Sequence, residues 1–281
     1  MKRISTCLHF FVYSNLFVAA CAALMTTQVY LLLQNSSAFT PFTGFVFFST
    51  LCSYSFHWYL TGPSAVASQR IHWLERNRSV HILFFFVGLA GSIYFLRFFL
   101  PYWIWIGGAL AATFLYSAPK IPNQYLRQLR KAALGKTIFL AAVWTYVSTV
   151  LPVIIAGQQW ETRHSLFTIS RYFFVYAVCI LFDYRDRADD RAAGIRSLIT
   201  FLSEENIRKL FIFSLLVFCG ATLALLHYHF RLTDILLLLA PGFILALLYR
   251  KATHDFGDML YYFVLDGLLA FSSLLTLFTR I

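Results

Sequence analysis

The sequence predicts an all-α polytopic membrane protein, a bundle of nine transmembrane helices formed by a single domain over residues 1–281. Three observations predict it. The 281 residues are 59% hydrophobic and only 12% charged, against about 25% charged in an ordinary soluble domain. The apolar residues fall into long runs of the length needed to cross a bilayer, about 20 residues each. The basic residues then alternate from one set of loops to the other, as the positive-inside rule requires.

The runs cover 8–33, 40–60, 79–100, 102–118, 132–156, 166–182, 210–229, 233–249 and 259–279. The first follows Lys2 and Arg3. Its apolar stretch exceeds the roughly 7–15 residues of a signal-peptide core, and no small-x-small exit follows, so it reads as a retained helix. Asn35-Ser36-Ser37 closes it, and Gly62-Pro63-Ser64 closes the second. Pro101 separates the third run from the fourth, and Pro119 and Pro122 end the fourth, because proline lacks a donor and crowds the preceding turn. Pro152 should kink the fifth. The sixth ends in the longest polar stretch, about 183–209, which is too short to bury a core of its own.

With the N-terminus in the cytoplasm, 18 of the 23 Lys and Arg residues fall on the cytoplasmic side. The net charge of +11 is thus explained by topology, without nucleic acid as a partner. The expected location is an integral protein of the bacterial inner membrane, with the C-terminus on the opposite side and membrane lipid around it. The cysteines, Cys7, Cys21, Cys52, Cys179 and Cys219, lie in or beside apolar runs with no CxxC spacing. They read as small buried hydrophobes rather than a disulfide or zinc set.

The acids are distributed unevenly. None precedes Glu75, whereas Asp183, Asp186, Asp189 and Asp190 fall within eight residues. On a continuing helix, Asp183, Asp186 and Asp190 are spaced i, i+3, i+7 and share one face. Carboxylates crowded on one face repel one another. Mg²⁺, a hard cation that takes carboxylates, waters and phosphate oxygens, would compensate them. Arg185, Arg187, Arg191 and Arg196 could pair with the acids directly or grip a phosphate. A solvated, salt-bridged loop is the other reading of the same pattern. Asp266, inside the last run, is the intramembrane carboxylate that a transporter would need. Asp255 and Asp258, in the loop before it, are expected to be solvated.

The segment Asp183-Tyr184-Arg185-Asp186-Arg187-Ala188-Asp189-Asp190-Arg191-Ala192-Ala193-Gly194-Ile195-Arg196-Ser197-Leu198 resembles the second aspartate-rich motif of the UbiA superfamily of intramembrane prenyltransferases. Leu115-Tyr116-Ser117-Ala118-Pro119-Lys120 resembles that family's Tyr-Ser-x-Pro segment, and nine helices with the motif loops on one side also match the family. The resemblance implies a UbiA-like helical bundle around a central pocket. The implied activity is Mg²⁺-dependent transfer of a prenyl group from a polyprenyl diphosphate to an aromatic or other lipophilic acceptor. It assigns the metal to Asp183, Asp186 and Asp190. Lys120, Arg187, Arg191 and Arg196 are candidates for the diphosphate, and Tyr116 and His57 for the pocket. The family's first aspartate-rich motif has no counterpart, since the corresponding segment reads Ser53-Tyr54-Ser55-Phe56-His57-Trp58-Tyr59-Leu60-Thr61. A UbiA-like pseudoenzyme that binds isoprenoid lipid without transfer, and a small-molecule transporter, are therefore the alternatives.

Overall fold

The computed structural model describes residues 2–36, 38–61, 68–118, 121, 135–192 and 197–280. Among them there are helices and turns but no strand. Seven helical stretches are long and apolar enough to cross a membrane. One of these, Arg78–Ser117, is 40 residues long.

The first predicted span is divided. Helix α1 (Lys2–Tyr13) stops before Ser14-Asn15, and α2 (Leu16–Leu33) starts after it. Asn15 has φ 71°, a left-handed conformation that Asn tolerates better than most residues. Its buried side chain explains the break. It accepts from Arg70 Nη2 at 2.6 Å, and its amide lies 3.4 Å from Ser55 Oγ and 3.2 Å from His81 Nδ1. One residue thus ties α2 to α3 (Pro41–Tyr59), α4 (Gln69–Arg76) and α5 (Arg78–Leu96).

Contacts give the relative direction of the helices. Along α3 and α5, Phe48 stacks on Phe95, Ser49 Oγ donates to Ser92 Oγ at 3.1 Å, and Phe56 meets Phe85, so the pair is antiparallel. Gly88 allows the close approach, because a Cβ there would lie 2.6 Å from the Cys52 backbone nitrogen. As expected at Pro101, the chain breaks after α5 into a 3₁₀ turn, Arg97–Tyr102, with Phe99 out of helical geometry. Helix α6 (Trp103–Ser117) returns to bring Tyr116 beside His57.

Helix α7 (Lys136–Thr145) runs through a π turn, Tyr146–Val150, into α8 (Leu151–Ile155). Pro152, where a kink is expected, lies in the first turn of α8 directly after this π turn. Helix α9 (Thr162–Arg185) is followed by the short α10 (Arg187–Ala192) and α11 (Leu198–Phe201). It packs antiparallel to α12 (Glu204–Ala224) through Ser170–Thr222 at 2.6 Å and Phe174–Phe218. In turn α12 packs antiparallel to α13 (Leu232–Ala252) through Phe211–Tyr249 and Phe218–Gly242. A second π turn, Leu260–Leu265, leads into α14 (Asp266–Arg280). This helix lies parallel to α2, with Phe263 against Phe17 and Gln28 Nε2 donating to Thr276 Oγ1 at 2.9 Å.

The bundle is apolar outside and carries its charge at two ends and within. Ile93, Trp103, Ile104, Leu216, Phe243 and Leu247 are exposed on its flanks. Side chains of this kind suit a lipid surface, where hydrocarbon replaces water. One end carries Asn15, His57, His81, Tyr116, Lys136 and Asp183. The other carries Arg280 paired with Asp234 at 2.6 Å, and Gln34 donating to the Pro152 carbonyl at 3.0 Å. The five cysteines are free.

Candidate functional site

The acid cluster forms where α9 passes into α10. Asp183 lies in the last turn of α9, Asp186 caps it, and the Asp190 amide donates to the Asp186 carbonyl at 2.9 Å. The helical path therefore nearly continues through the junction. Asp183 and Asp190 are buried.

Lys136, at the first position of α7, reaches into this cluster. Its Nζ lies 3.5 Å from Asp183 Oδ1 and 3.3 Å from Asp190 Oδ2. The neighbouring Thr137 Oγ1 donates to Asp183 Oδ2. Asp186 has no hydrogen-bond or ion-pair partner for its carboxylate among the described residues. Burial pushes its pKa up to about 6, although Lys136 and Arg185 act in the opposite direction. Burial likewise raises Asp190 above the usual carboxylate range. Among the described residues Lys136 is the one cation ion-paired with these three carboxylates, and Arg185 lies within electrostatic reach of Asp186.

Aromatic residues lie beside the cluster. His57 stacks on Tyr116 with ring centroids 5.3 Å apart, and His57 Nδ1 lies 3.1 Å from Ser117 Oγ. Trp144 Nε1 donates to Tyr54 Oη at 3.0 Å. Trp58 meets Tyr262 edge-on at 5.6 Å. The buried Arg70 guanidinium lies over both rings, 3.8 Å from the Trp58 centroid and 4.2 Å from that of Tyr262. Such cation–π contacts are strengthened by desolvation. Tyr54, Tyr116, Asp186, Tyr262 and Asp266 are surrounded by protein yet keep some accessible surface.

Asp258 corrects an expectation. It is buried rather than solvated, ion-paired with the buried Arg185. It also accepts from Ser68 Oγ at 3.1 Å and from the Arg70 amide at 2.8 Å. The loop before α14 folds inward, and this acid locks it to α9 and α4. Arg185 is consequently committed to Asp258.

The other basic candidates have separate places. Arg187 pairs with Glu204 Oε1 at 2.5 Å and donates to the Leu202 carbonyl at 3.0 Å. Arg191 donates to the Thr200 carbonyl at 3.1 Å. Both fasten α10 to the segment that leads into α12. Lys120 and Arg196 lie outside the described residues.

The structure thus places Asp183, Asp186 and Asp190 at one helix junction near Tyr116 and His57, with Lys136 between Asp183 and Asp190. It adds Lys136, Thr137, Arg70 and Asp266, which sequence patterns did not assign to the site. Lys136 carried one signal, a lone lysine at the head of an apolar run, since an ammonium there needs an anionic partner. Carboxylates are hard oxygen donors and suit a divalent cation such as Mg²⁺ in chemical type. No three metal-ligating side chains converge among the described residues, and Lys136 now links Asp183 to Asp190.

No family model, curated protein or solved structure matches the chain.

Proposed function

We propose that the chain is a divergent intramembrane prenyltransferase of the UbiA type, crossing the membrane nine times around a central pocket. The observation that carries the reading is the placement of Asp183, Asp186 and Asp190 at one helix junction, with Lys136 bridging Asp183 and Asp190, near the His57–Tyr116 stack. The deep yet accessible aromatic and acidic residues support an internal pocket. The nine passes draw on the alternating contacts, with Arg78–Ser117 counted as two spans bent at Phe99 and α3 counted as one. In this reading the site end faces the cytoplasmic side of a bacterial inner membrane, which the distribution of Lys and Arg among the loops supports.

In this reading the substrate is a polyprenyl diphosphate and the partner a lipophilic acceptor. Asp183, Asp186 and Asp190 hold Mg²⁺, which supplies charge neutralisation for the departing diphosphate. Release of Lys136 from Asp183 and Asp190 would free those carboxylates and offer its ammonium to a phosphate oxygen. Lys120, Arg187, Arg191 and Arg196 remain the further candidates for the diphosphate. The rings of Tyr54, Trp58, Tyr116 and Tyr262 shelter positive charge developing on the allylic carbon. Where the family carries its first acidic motif, this chain presents His57, Trp58 and the Arg70 guanidinium.

The test is to incubate purified protein with a polyprenyl diphosphate, Mg²⁺ and candidate acceptors, and to follow release of diphosphate. Turnover that requires Mg²⁺ and Asp183 supports transfer. Mg²⁺-dependent binding without turnover identifies the pseudoenzyme. Asp266, a carboxylate deep in the bundle, favours a transporter as the second reading. That reading expects flux across proteoliposomes that depends on Asp266 and is indifferent to Asp190.

A further inference from the structure

Arg171 is a cation inside the bundle, away from the acid cluster. It precedes Asp183 by 12 residues on the same helix, α9, or about 18 Å along the axis. It is buried, and no carboxylate pairs with it among the described residues. Its hydrogen-bond partner among them is neutral, the Gln28 Oε1 of α2 at 2.5 Å from Nη2. That oxygen also accepts from Ser273 Oγ at 3.3 Å and Ser272 Oγ at 3.4 Å, both on α14. The guanidinium lies over the Phe167 ring, 5.2 Å from its centroid. These contacts position the charge without neutralising it. A guanidinium stays protonated, and a charged side chain within a spanning helix pairs with opposite charge or marks a site. Arg171 lines a cavity of about 10 Å³, room for one occupant of about the size of a water molecule. Ser170 and Phe174 of α9, Phe218 of α12, Pro241 of α13 and Ser272 of α14 also line it. Arg171 Nε and Nη1 have no partner among the described residues, yet they keep accessible surface. Ser170 is held by Thr222 Oγ1 at 2.6 Å, whereas the long contact of Ser272 with Gln28 leaves its hydroxyl able to turn.

We propose that this cavity binds a single halide-class anion, chloride, as the counter-charge of Arg171. A water molecule there would meet the guanidinium N–H groups and leave the charge uncompensated. An anion meets both, and buried charges are stable only when paired. The size of the space selects a one-atom anion over a carboxylate or a phosphate. Arg171 supplies charge-assisted donors, and Ser272 turns its hydroxyl from Gln28 to the ion. The anion would then join α9 to α14 at the level where Gln28 already ties both to α2. The site shares no residue with the acid cluster, so it stands whether or not the chain transfers a prenyl group.

The experiment uses the full chain in detergent, purified in sodium gluconate, whose anion is too large for the cavity. Thermal unfolding is followed as chloride, bromide or laurate replaces gluconate at constant ionic strength, and binding of radiolabelled chloride is measured by equilibrium dialysis. Chloride and bromide are expected to raise the melting temperature of the wild type along a saturating curve, with one chloride bound per chain. Ser272→Ala is expected to need about tenfold more chloride for the same effect, the loss of one hydrogen bond to an ion. Arg171→Gln is expected to lose the chloride response altogether. No response of the wild type to halide overturns the proposal and assigns the space to water. An equal response to gluconate makes the effect one of salt and overturns it too. Stabilisation by laurate but not by chloride assigns Arg171 to a lipid carboxylate and also overturns it. An unchanged chloride curve in Ser272→Ala, or a response that survives in Arg171→Gln, places the ion elsewhere and has the same consequence. Should Arg171→Gln fail to fold, the wild-type titrations and Ser272→Ala decide the matter.

Discussion

Replacing Lys136 with Met keeps the bulk of the side chain and removes the one ammonium that pairs with the acid cluster among the described residues. Its Nζ lies 3.5 Å from Asp183 and 3.3 Å from Asp190. At an effective dielectric constant of about 20, each attraction is of the order of 5 kcal/mol. The side chain is 23% exposed and its partners 6% and 8%, so solvent screens these pairs only weakly. Much of that attraction offsets desolvation. Removing one partner of a buried pair leaves its desolvation uncompensated and typically costs about 3–5 kcal/mol. For a chain of this size the corresponding fall in melting temperature is about 10 °C in Mg²⁺-free buffer with chelator. Without the ammonium a cation no longer has to displace Lys136, so the variant should bind Mg²⁺ more tightly than the wild type and regain most of the lost stability at millimolar Mg²⁺. The assay is a thermal unfolding series in detergent at increasing Mg²⁺, with Ca²⁺ and high NaCl as controls. An equal loss with and without Mg²⁺, or equal recovery with NaCl, would refute the reasoning. The lysine would then be an ordinary structural pair and the cluster no cation site.

Asp186 sets a pH dependence. Its pKa in the folded protein, raised by burial to about 6, lies above the unfolded value. The fold therefore binds the proton more tightly, and the penalty of a buried charge is fully present above pH 6 and fades as pH falls through 6. In Mg²⁺-free buffer the melting temperature should rise between pH 7 and pH 5 by more in the wild type than in Asp186→Asn, and identical profiles would contradict this. Gly88→Ala should destabilise by about 1–3 kcal/mol through overpacking, since its Cβ would meet the Cys52 backbone nitrogen at 2.6 Å; unchanged thermal stability would show that α3 and α5 are more loosely packed. Asp258→Asn strands the buried Arg185 and should cost about 3–5 kcal/mol with no recovery in Mg²⁺, read by the same unfolding series; recovery in Mg²⁺ would join Asp258 to the cation site.

Patterns of local period were legible in the sequence. Apolar runs marked the helices, Pro101 marked the bend after α5, and the i, i+3, i+7 spacing placed three aspartates at one helix junction. What stayed hidden depends on residues far apart in the chain. Lys136 meets Asp183 across 47 positions, and Arg185 meets Asp258 across 73. No periodicity reports on such pairs, so Asp258 read as a loop acid when its loop in fact folds inward. The break at Asn15 was hidden for a similar reason. An asparagine within an apolar run looks like a tolerated polar residue until Arg70, Ser55 and His81 converge on it. Arg187 and Arg191 looked like phosphate ligands by proximity to the acids, whereas in the fold they hold the following segment through Glu204, Leu202 and Thr200.

The account rests on the three aspartates holding a metal ion and, through it, a prenyl diphosphate. The most direct measurement is equilibrium binding of farnesyl diphosphate to the purified protein, with Mg²⁺ and with chelator, for the wild type and Asp190→Asn. Binding that requires Mg²⁺ and weakens at least tenfold in Asp190→Asn is the predicted result. Binding that is independent of Mg²⁺, or unchanged in the variant, would contradict it.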